Sequence, residues 1–438
     1  MSIASLSTTA GPAGESVRAT AHERKWKQIE ITHLTLFGYT HEKVEMILHP
    51  MALSGAEPLG SMGNDTPLAC LSRLPRSPFD YFYQLFAQAT NPAIDPLREA
   101  NVMSLECPIG PEGNLLAVSP QAVEHRCFLD EPVLDPERFK ILQKMRCFES
   151  YCVLDLTYSS THDVGRQQWN QKAFENDTVL ELRLAQLCNE AEAAIKIDGV
   201  SLLILSQRLT GPETIPISTL LAVGILNQYL VERKLRSEVA IVVEGGDCFE
   251  IHHFALLLGY GADAVFPYMA YLALQRCRRP KYATDLSLAQ KVENYRRSVH
   301  QGLLKVMSKC GISCLQSYKG AQLFQAIGIS NKVVARCFTG TDVTLQGVGF
   351  DIFHLDAVRL HSLAFQQMRL PPLVDEETRE LPDWGEYHFR SVDQQNEFHM
   401  NSPDVIAKLQ QAAKTNSTKA FRLFELYQDK ISEQSEIR

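Results

Sequence analysis

Several groups of residues combine types and spacings that can do chemistry. Glu244, Gly245, Gly246 and Asp247 directly follow a short apolar run, Val239 to Val243. Carboxylates flanking paired glycines at the C-terminal end of a strand are suited to acid or base work, because the glycines let a ligand come close to the backbone. A tight strand-to-helix turn with Asp247 as N-cap explains the same string, and the residues alone leave both readings open. His252 and His253 come next. Adjacent residues on a helix do not share a face, so capping or packing is favoured over joint metal ligation. Cys310 and Cys314 form a Cys-x-x-x-Cys pair with no second pair and no neighbouring His. That pattern reads as buried apolar thiols rather than as a zinc or iron–sulfur site. In the loop Ser61 to Pro67, Gly63 allows unusual dihedrals, and Asn64 and Asp65 can bond the backbone two residues on. Thr90-Asn91-Pro92 is a turn start of similar kind. No P-loop and no nucleophile elbow is present, and no catalytic triad is assembled from scattered Ser, His and Asp.

These residues must be positioned by regular elements. From Cys147 onward, short apolar runs alternate with helical patterns. The runs are Cys152 to Thr157, Ser201 to Ser206, Val239 to Val243 and Ala264 to Pro267. Between them Val179 to Ile197, Ile217 to Lys234 and Phe249 to Leu258 carry apolar residues at i, i+3, i+4 spacing. Such alternation predicts parallel strands with right-handed crossovers, hence a β/α barrel or an open doubly wound sheet. Polar strand ends, and no Gly-x-Gly-x-x-Gly after the first strand, favour a barrel or partial barrel. Further predictions are a short helix over Thr40 to Leu48, a loop over Gly55 to Pro67, a helix over Lys291 to Lys309 and a strand end within Gly311 to Tyr318. An acidic linker over Pro371 to Asp383 is followed by a helix pair, Val405 to Ala413 and Ser417 to Tyr427.

The bulk numbers bound the rest. With 438 residues, 45% of them apolar, the chain can bury more than one core. Its net charge of -8 argues against a nucleic-acid partner or an anionic membrane surface, and no apolar stretch approaches the ~18 residues of a membrane span. Eleven Cys without a dense framework predict a reducing, cytoplasmic compartment. Residues 1–25 read as a lead-in, and the single Arg in the first 18 disfavours an organellar transit peptide.

Several strings taken together carry a resemblance. Glu57-Pro58-Leu59-Gly60-Ser61-Met62-Gly63-Asn64-Asp65-Thr66-Pro67 is followed by Thr90-Asn91-Pro92 and Ile94-Asp95-Pro96-Leu97-Arg98-Glu99. Later come His252-His253-Phe254-Ala255-Leu256-Leu257-Leu258-Gly259-Tyr260-Gly261-Ala262 and Gln316-Ser317-Tyr318-Lys319-Gly320-Ala321-Gln322. This resembles the central region of the large subunit of glutamate synthase over most of residues 30–370. A second match, from Leu381 through Gly385-Glu386-Tyr387-His388 to Ile406-Ala407-Lys408-Leu409-Gln410, looks like the opening of that family's flavin-binding synthase domain. There Arg390 to Met400 departs from the family's run.

The resemblance implies an incomplete β/α-barrel-like central domain over residues 26–370 and the truncated start of a second β/α domain over residues 371–438. In the family, an amidotransferase domain releases ammonia from glutamine. The ammonia passes through a tunnel to an FMN site, where 2-oxoglutarate becomes L-glutamate with electrons relayed by an iron–sulfur cluster. Here the chain starts Met1-Ser2, so the amidotransferase Cys is expected to be missing, and neither FMN nor the cluster is expected in this chain. By the same likeness, Met62, Gly63, Asn64, Asp65, Thr90 and Asn91 are expected to wall the tunnel or the synthase pocket, with domain packing as the alternative role. The implied partners are an amidotransferase domain and an FMN-binding synthase domain, in cis or in trans. A scaffold subunit serving separate catalytic chains, or an independent enzyme using Glu244 to Asp247, are the competing readings.

Overall fold

The structure is a computed structural model, and it describes residues 31–58, 74–85, 96–112, 126–145, 148, 150–159, 178–276, 286–366, 381–387, 398–399, 403–432 and 435–436. Its centre is a parallel sheet of β1 (Tyr151–Asp155), β2 (Leu202–Ser206), β3 (Ala240–Glu244) and β4 (Ala264–Phe266), in that spatial order. The crossovers are α1 (Val179–Lys196), α2 (Thr219–Glu232) and α3 (Ile251–Gly259). Every residue of β2 and β3 is buried, as a sheet covered on both faces requires.

Local chemistry sets the boundaries. Thr178 opens α1 with a capping box: its amide donates to Glu181 Oε2 at 2.9 Å, and the Glu181 amide donates to Thr178 Oγ1 at 3.3 Å. The α1 stripe Leu180, Leu184, Leu187, Cys188 and Ala191 is buried at helical spacing. A fifth segment borders the sheet. Val133 bridges Val265 in parallel, Leu134 donates to the Val265 carbonyl at 2.9 Å, and Val265 donates to Pro132 at 2.8 Å. Among the described residues no strand pairs the outer edge of β1.

Beyond β4 follow α4 (Tyr268–Arg276) and α5 (Leu288–Lys309), the latter capped by Ser287 with Gln290. A smaller sheet pairs β5 (Phe324–Ile329) in parallel with β6 (Asp342–Val348) and antiparallel with Phe82–Gln84. Helix α6 (Asn331–Cys337) connects β5 to β6, and α7 (Phe350–Gln366) follows. Helices α8 (Pro403–Thr415) and α9 (Thr418–Ser432) pack on each other, with the Lys408 ammonium 4.2 Å from the Tyr427 ring.

Three expectations need correction. Gly311 to Tyr318 is no strand end: Cys314 makes a single bridge with Ser104, and Leu315–Tyr318 then turns into a short helix that buries Leu315 and Tyr318. The helix expected over Thr40 to Leu48 runs on. Thr40 caps it through Oγ1, Val44–Leu48 widens into a π turn, and His49–Ser54 continues to a left-handed Gly55 at φ 65°. Cys310 is buried as expected, but Cys314 is exposed.

Opposite the strand C-termini, one buried carboxylate ties the sheet together. Asp263 accepts the Ile241 amide at 2.7 Å and pairs with Arg236 at 3.0 Å and Lys319 at 2.6 Å. Burial by itself would raise its pKa, but the two cations hold it at about 2.

Candidate functional site

In β/α proteins the C-terminal ends of the strands are where ligands meet the sheet. Here Ser206, Gln207, Arg208 and Glu244 to Asp247 converge there. Glu244 has both oxygens engaged: Oε2 accepts the Ser206 hydroxyl at 2.6 Å and Oε1 accepts Arg208 Nε at 2.6 Å. The Arg208 guanidinium lies 3.8 Å from the centre of the Tyr268 ring, so it is fixed from two sides. Gln207 Oε1 accepts the Gly246 amide at 2.6 Å, while its Nε2 donates to the Ile217 carbonyl at 2.7 Å.

The glycine pair does admit a close neighbour, but the neighbour is the protein itself. A Cβ on Gly246 would lie 2.6 to 2.8 Å from three atoms of the Phe37 ring, and one on Gly245 would lie 2.6 Å from Cys248 Sγ. Asp247 is a cap, though not of the helix that follows it, since Glu250 is the residue at the N-cap of α3. It reaches across to α2 instead, accepting the Thr219 amide at 3.0 Å and hydroxyl at 2.6 Å. Burial raises the Asp247 pKa despite these bonds.

His252 and His253 are both buried in α3 and separately engaged. His252 Nε2 is 3.3 Å from the Phe79 carbonyl, and burial lowers its pKa to about 4. His253 Nδ1 accepts the Phe249 amide at 3.3 Å, which leaves Nε2 as the protonated nitrogen toward Glu250 at 2.9 Å. Burial would raise Glu250, but His253 first, then His252 and Lys43, bring it down to about 2.

Around these groups lies a network that the sequence did not signal. Arg76 pairs with Glu386 at 3.0 Å, Lys43 stands 4.0 Å from the same carboxylate, and Asp80 accepts the Ser77 amide at 3.3 Å. Burial raises Asp80 in spite of Lys43 and Arg76 nearby. Arg76, Asp80, Asp247, His253, Trp384 and Glu386 line a cavity of ≈ 90 Å³ over the strand ends. Its members come from segments hundreds of residues apart, so no local pattern could have grouped them.

The remaining candidates are not brought into this site. Met62, Gly63, Asn64, Asp65, Thr90 and Asn91 all lie outside the described residues. Cys310 Sγ sits 2.9 Å from Gln84 Nε2 and Cys314 Sγ 3.1 Å from Ser317 Oγ, each with its own neighbour. Among the described residues no three His, Cys, Asp or Glu side chains are placed to hold a metal ion, and no helix is long and apolar enough to cross a membrane.

The fold thus defines a protein built on a parallel β/α sheet, in which the turn after β3 is packed by the protein's own side chains, Phe37 and Cys248. The sequence family described as "Glutamate synthase central domain" matches residues 32–330, and the chain belongs to that family. It is 42% identical over 394 residues to the NADH glutamate synthase of Schizosaccharomyces pombe, covering 89% of this chain and 18% of that protein. It is 40% identical over 394 residues to the large chain of the NADPH glutamate synthase of Bacillus subtilis, covering 90% and 24% respectively. With the chloroplastic ferredoxin-dependent glutamate synthase 2 of Arabidopsis thaliana it shares 36% over 403 residues, covering 89% and 23%. The chain therefore spans about a fifth to a quarter of the length of these relatives. A solved flavocytochrome b2 chain aligns over 79% of this chain and 97% of its own at 12% identity and a TM-score of 0.29, too distant a likeness to inform the fold.

Proposed function

We propose that this chain is the central, non-catalytic region of a glutamate synthase, in which it walls the path of glutamine-derived ammonia toward the site where 2-oxoglutarate becomes L-glutamate. The observation that carries the reading is the central-domain match over residues 32–330. The packed strand ends support it: both Glu244 oxygens already accept a hydrogen bond from the protein, and the Gly245-Gly246 turn is occupied by Phe37 and Cys248. Residues 26–370 would form this region and residues 371–438 the start of the synthase domain. The amidotransferase and synthase domains are its partners in this reading.

FMN and the iron–sulfur cluster belong, in this reading, to other parts of the complete enzyme. The strand-end cavity of ≈ 90 Å³ is smaller than the roughly 300–1,000 Å³ of ordinary ligand pockets, so a flavin does not fit there. Met62, Gly63, Asn64, Asp65, Thr90 and Asn91 are the residues assigned to the tunnel or pocket wall. Small polar groups suit that task, because ammonia must travel neutral and shielded from bulk water.

The experiment is Asn64→Ala in a complete glutamate synthase carrying this chain as its central region, with glutamine consumed and glutamate formed both counted. More glutamine hydrolysed per glutamate made is the expected result, and unchanged stoichiometry removes Asn64 from the wall. In a parallel arm the isolated chain is titrated with FMN. No saturable fluorescence quenching is expected, and a micromolar site overturns the assignment of the cofactor elsewhere.

A further inference from the structure

Leu381–Tyr387 runs across the strand-end cavity and is held there in an unusual way. Glu42, a carboxylate only 3% exposed, accepts two consecutive backbone amides, Glu386 at 2.6 Å and Tyr387 at 3.3 Å. The His41 amide donates to the Pro382 carbonyl at 3.0 Å, and the Glu386 side chain reaches back to Arg76 at 3.0 Å. A carboxylate that grips successive N–H groups holds a passing backbone by charge-assisted bonds, whatever side chains that backbone carries.

The grip contrasts with the weakness of everything else in the contact. None of the seven residues Leu381–Tyr387 is fully buried, whereas β2 and β3 are buried throughout. Six of the seven are half-buried, with Leu381 packed against the core, so the segment is less deeply buried than the strands. The attraction in the Glu386 ion pairs is largely offset by the desolvation of the charges. Segments with few apolar contacts open locally at a cost well below that of global unfolding.

We propose that Leu381–Tyr387 is a releasable strap. Clasped by Glu42 and Glu386, it completes the wall of the strand-end cavity through Trp384 and Glu386. Released, it opens the side of that cavity formed by Trp384 and Glu386 while the sheet stays folded. The strap thus controls access to the cavity that lies beside the C-terminal ends of the strands. This inference does not depend on the proposed tunnel role.

Amide exchange resolved by mass spectrometry on the full 438-residue chain tests it. In the unmodified protein the Glu386 and Tyr387 amides should exchange faster than those of β2 and β3, yet slower than in a free peptide. Glu42→Ala should speed Glu386 and Tyr387 by about tenfold or more, as expected for losing bonds to a charged acceptor, and leave β2 and β3 unchanged. Tyr387→Pro removes one gripped amide from the strap side without touching the core, and it should speed Glu386 in the same way. With Trp26→Phe and Trp169→Phe in the background, acrylamide quenching of Trp384 should rise in step. Equal acceleration of strap and sheet in Tyr387→Pro overturns the proposal, since the strap would then be part of the core's cooperative unit. Unchanged exchange at Glu386 in both variants overturns it as well, because Glu42 would not be the clasp.

Discussion

Gly246→Ala asks whether the glycine pair at the end of β3 exists for packing or for a ligand. Gly246 has an ordinary backbone conformation, so alanine adds no torsional strain there, and its whole cost must be steric. The new methyl would sit 2.6, 2.7 and 2.8 Å from three carbons of the Phe37 ring. Comfortable carbon contacts lie near 3.5–4.0 Å, so the ring would have to retreat by about 1 Å. Phe37 is 6% exposed, with its ring centre 6.2 Å from that of Tyr268, and it has little room to do so. Overpacking of this kind costs about 1–3 kcal/mol. Urea unfolding of the single variant should report that loss. The stronger measurement is a double-mutant cycle with Phe37→Leu, whose smaller side chain should absorb the methyl. In that background Gly246→Ala should cost less than about 0.5 kcal/mol, within the usual additivity error. An equal cost in both backgrounds refutes the claim that Phe37 is what the glycine accommodates.

The other predictions concern protonation and thiol chemistry. His252 is held neutral in the fold with a pKa of about 4, against 6.5 when unfolded. Its contribution is therefore full above pH 6.5 and is lost as the pH falls toward 4, and at about 1.4 kcal/mol per unit it amounts to roughly 3 kcal/mol. Glu250, at about 2 in the fold and 4.5 outside it, adds a second loss below pH 4.5, while Asp80 and Asp247, raised by burial, oppose the fall. Unfolding midpoints measured from pH 8 to 4 should decline below 6.5, and His252→Gln should flatten the part of the curve between 6.5 and 4.5. A slope that the substitution leaves unaltered would show that His252 is not the responsible group. Among the described cysteines, mass-mapped iodoacetamide labelling at pH 8 should reach Cys314 first. Its thiol is exposed and lowered by Ser317, whereas burial drives Cys107 and Cys188 up to about 12. Equal labelling of Cys107 or Cys188 would contradict the burial on which that order rests.

What was legible in the sequence was what local patterns encode. The five-residue apolar runs of β2 and β3 and the 3.6-residue stripe of α1 lie within a residue or two of their observed bounds. The start of α1 at Val179, read from its apolar spacing, is the position that Thr178 and Glu181 cap in space. Gly311 to Tyr318 misled because its flanking glycines and apolar residues suit a strand and a buried helical turn equally. The choice was made by Ser104, some 200 residues earlier in the chain, through a pairing with no local signature. For the same reason Asp247 could be recognised as a cap but not assigned to α2. Glu42, Arg76 and Glu386 were invisible as a group, since a charged residue in isolation reads as surface. Only the fold brings them together and away from water.

The segment Pro132–Leu134 reaches the sheet by a long route. It is made before any of β1 to β4, yet its partner Val265 lies about 130 residues further along the chain. While the chain is being synthesised, this strand has nothing to pair with until β4 appears, whereas each of β1 to β3 finds its neighbour one crossover later. Docking of Pro132–Leu134 is therefore a late folding step with a high loop-closure cost. Until it occurs, the edge of β4 stands open to strands from other chains. Substitutions at Val133 should thus tell more on the yield of correctly folded protein than on the stability of protein already folded.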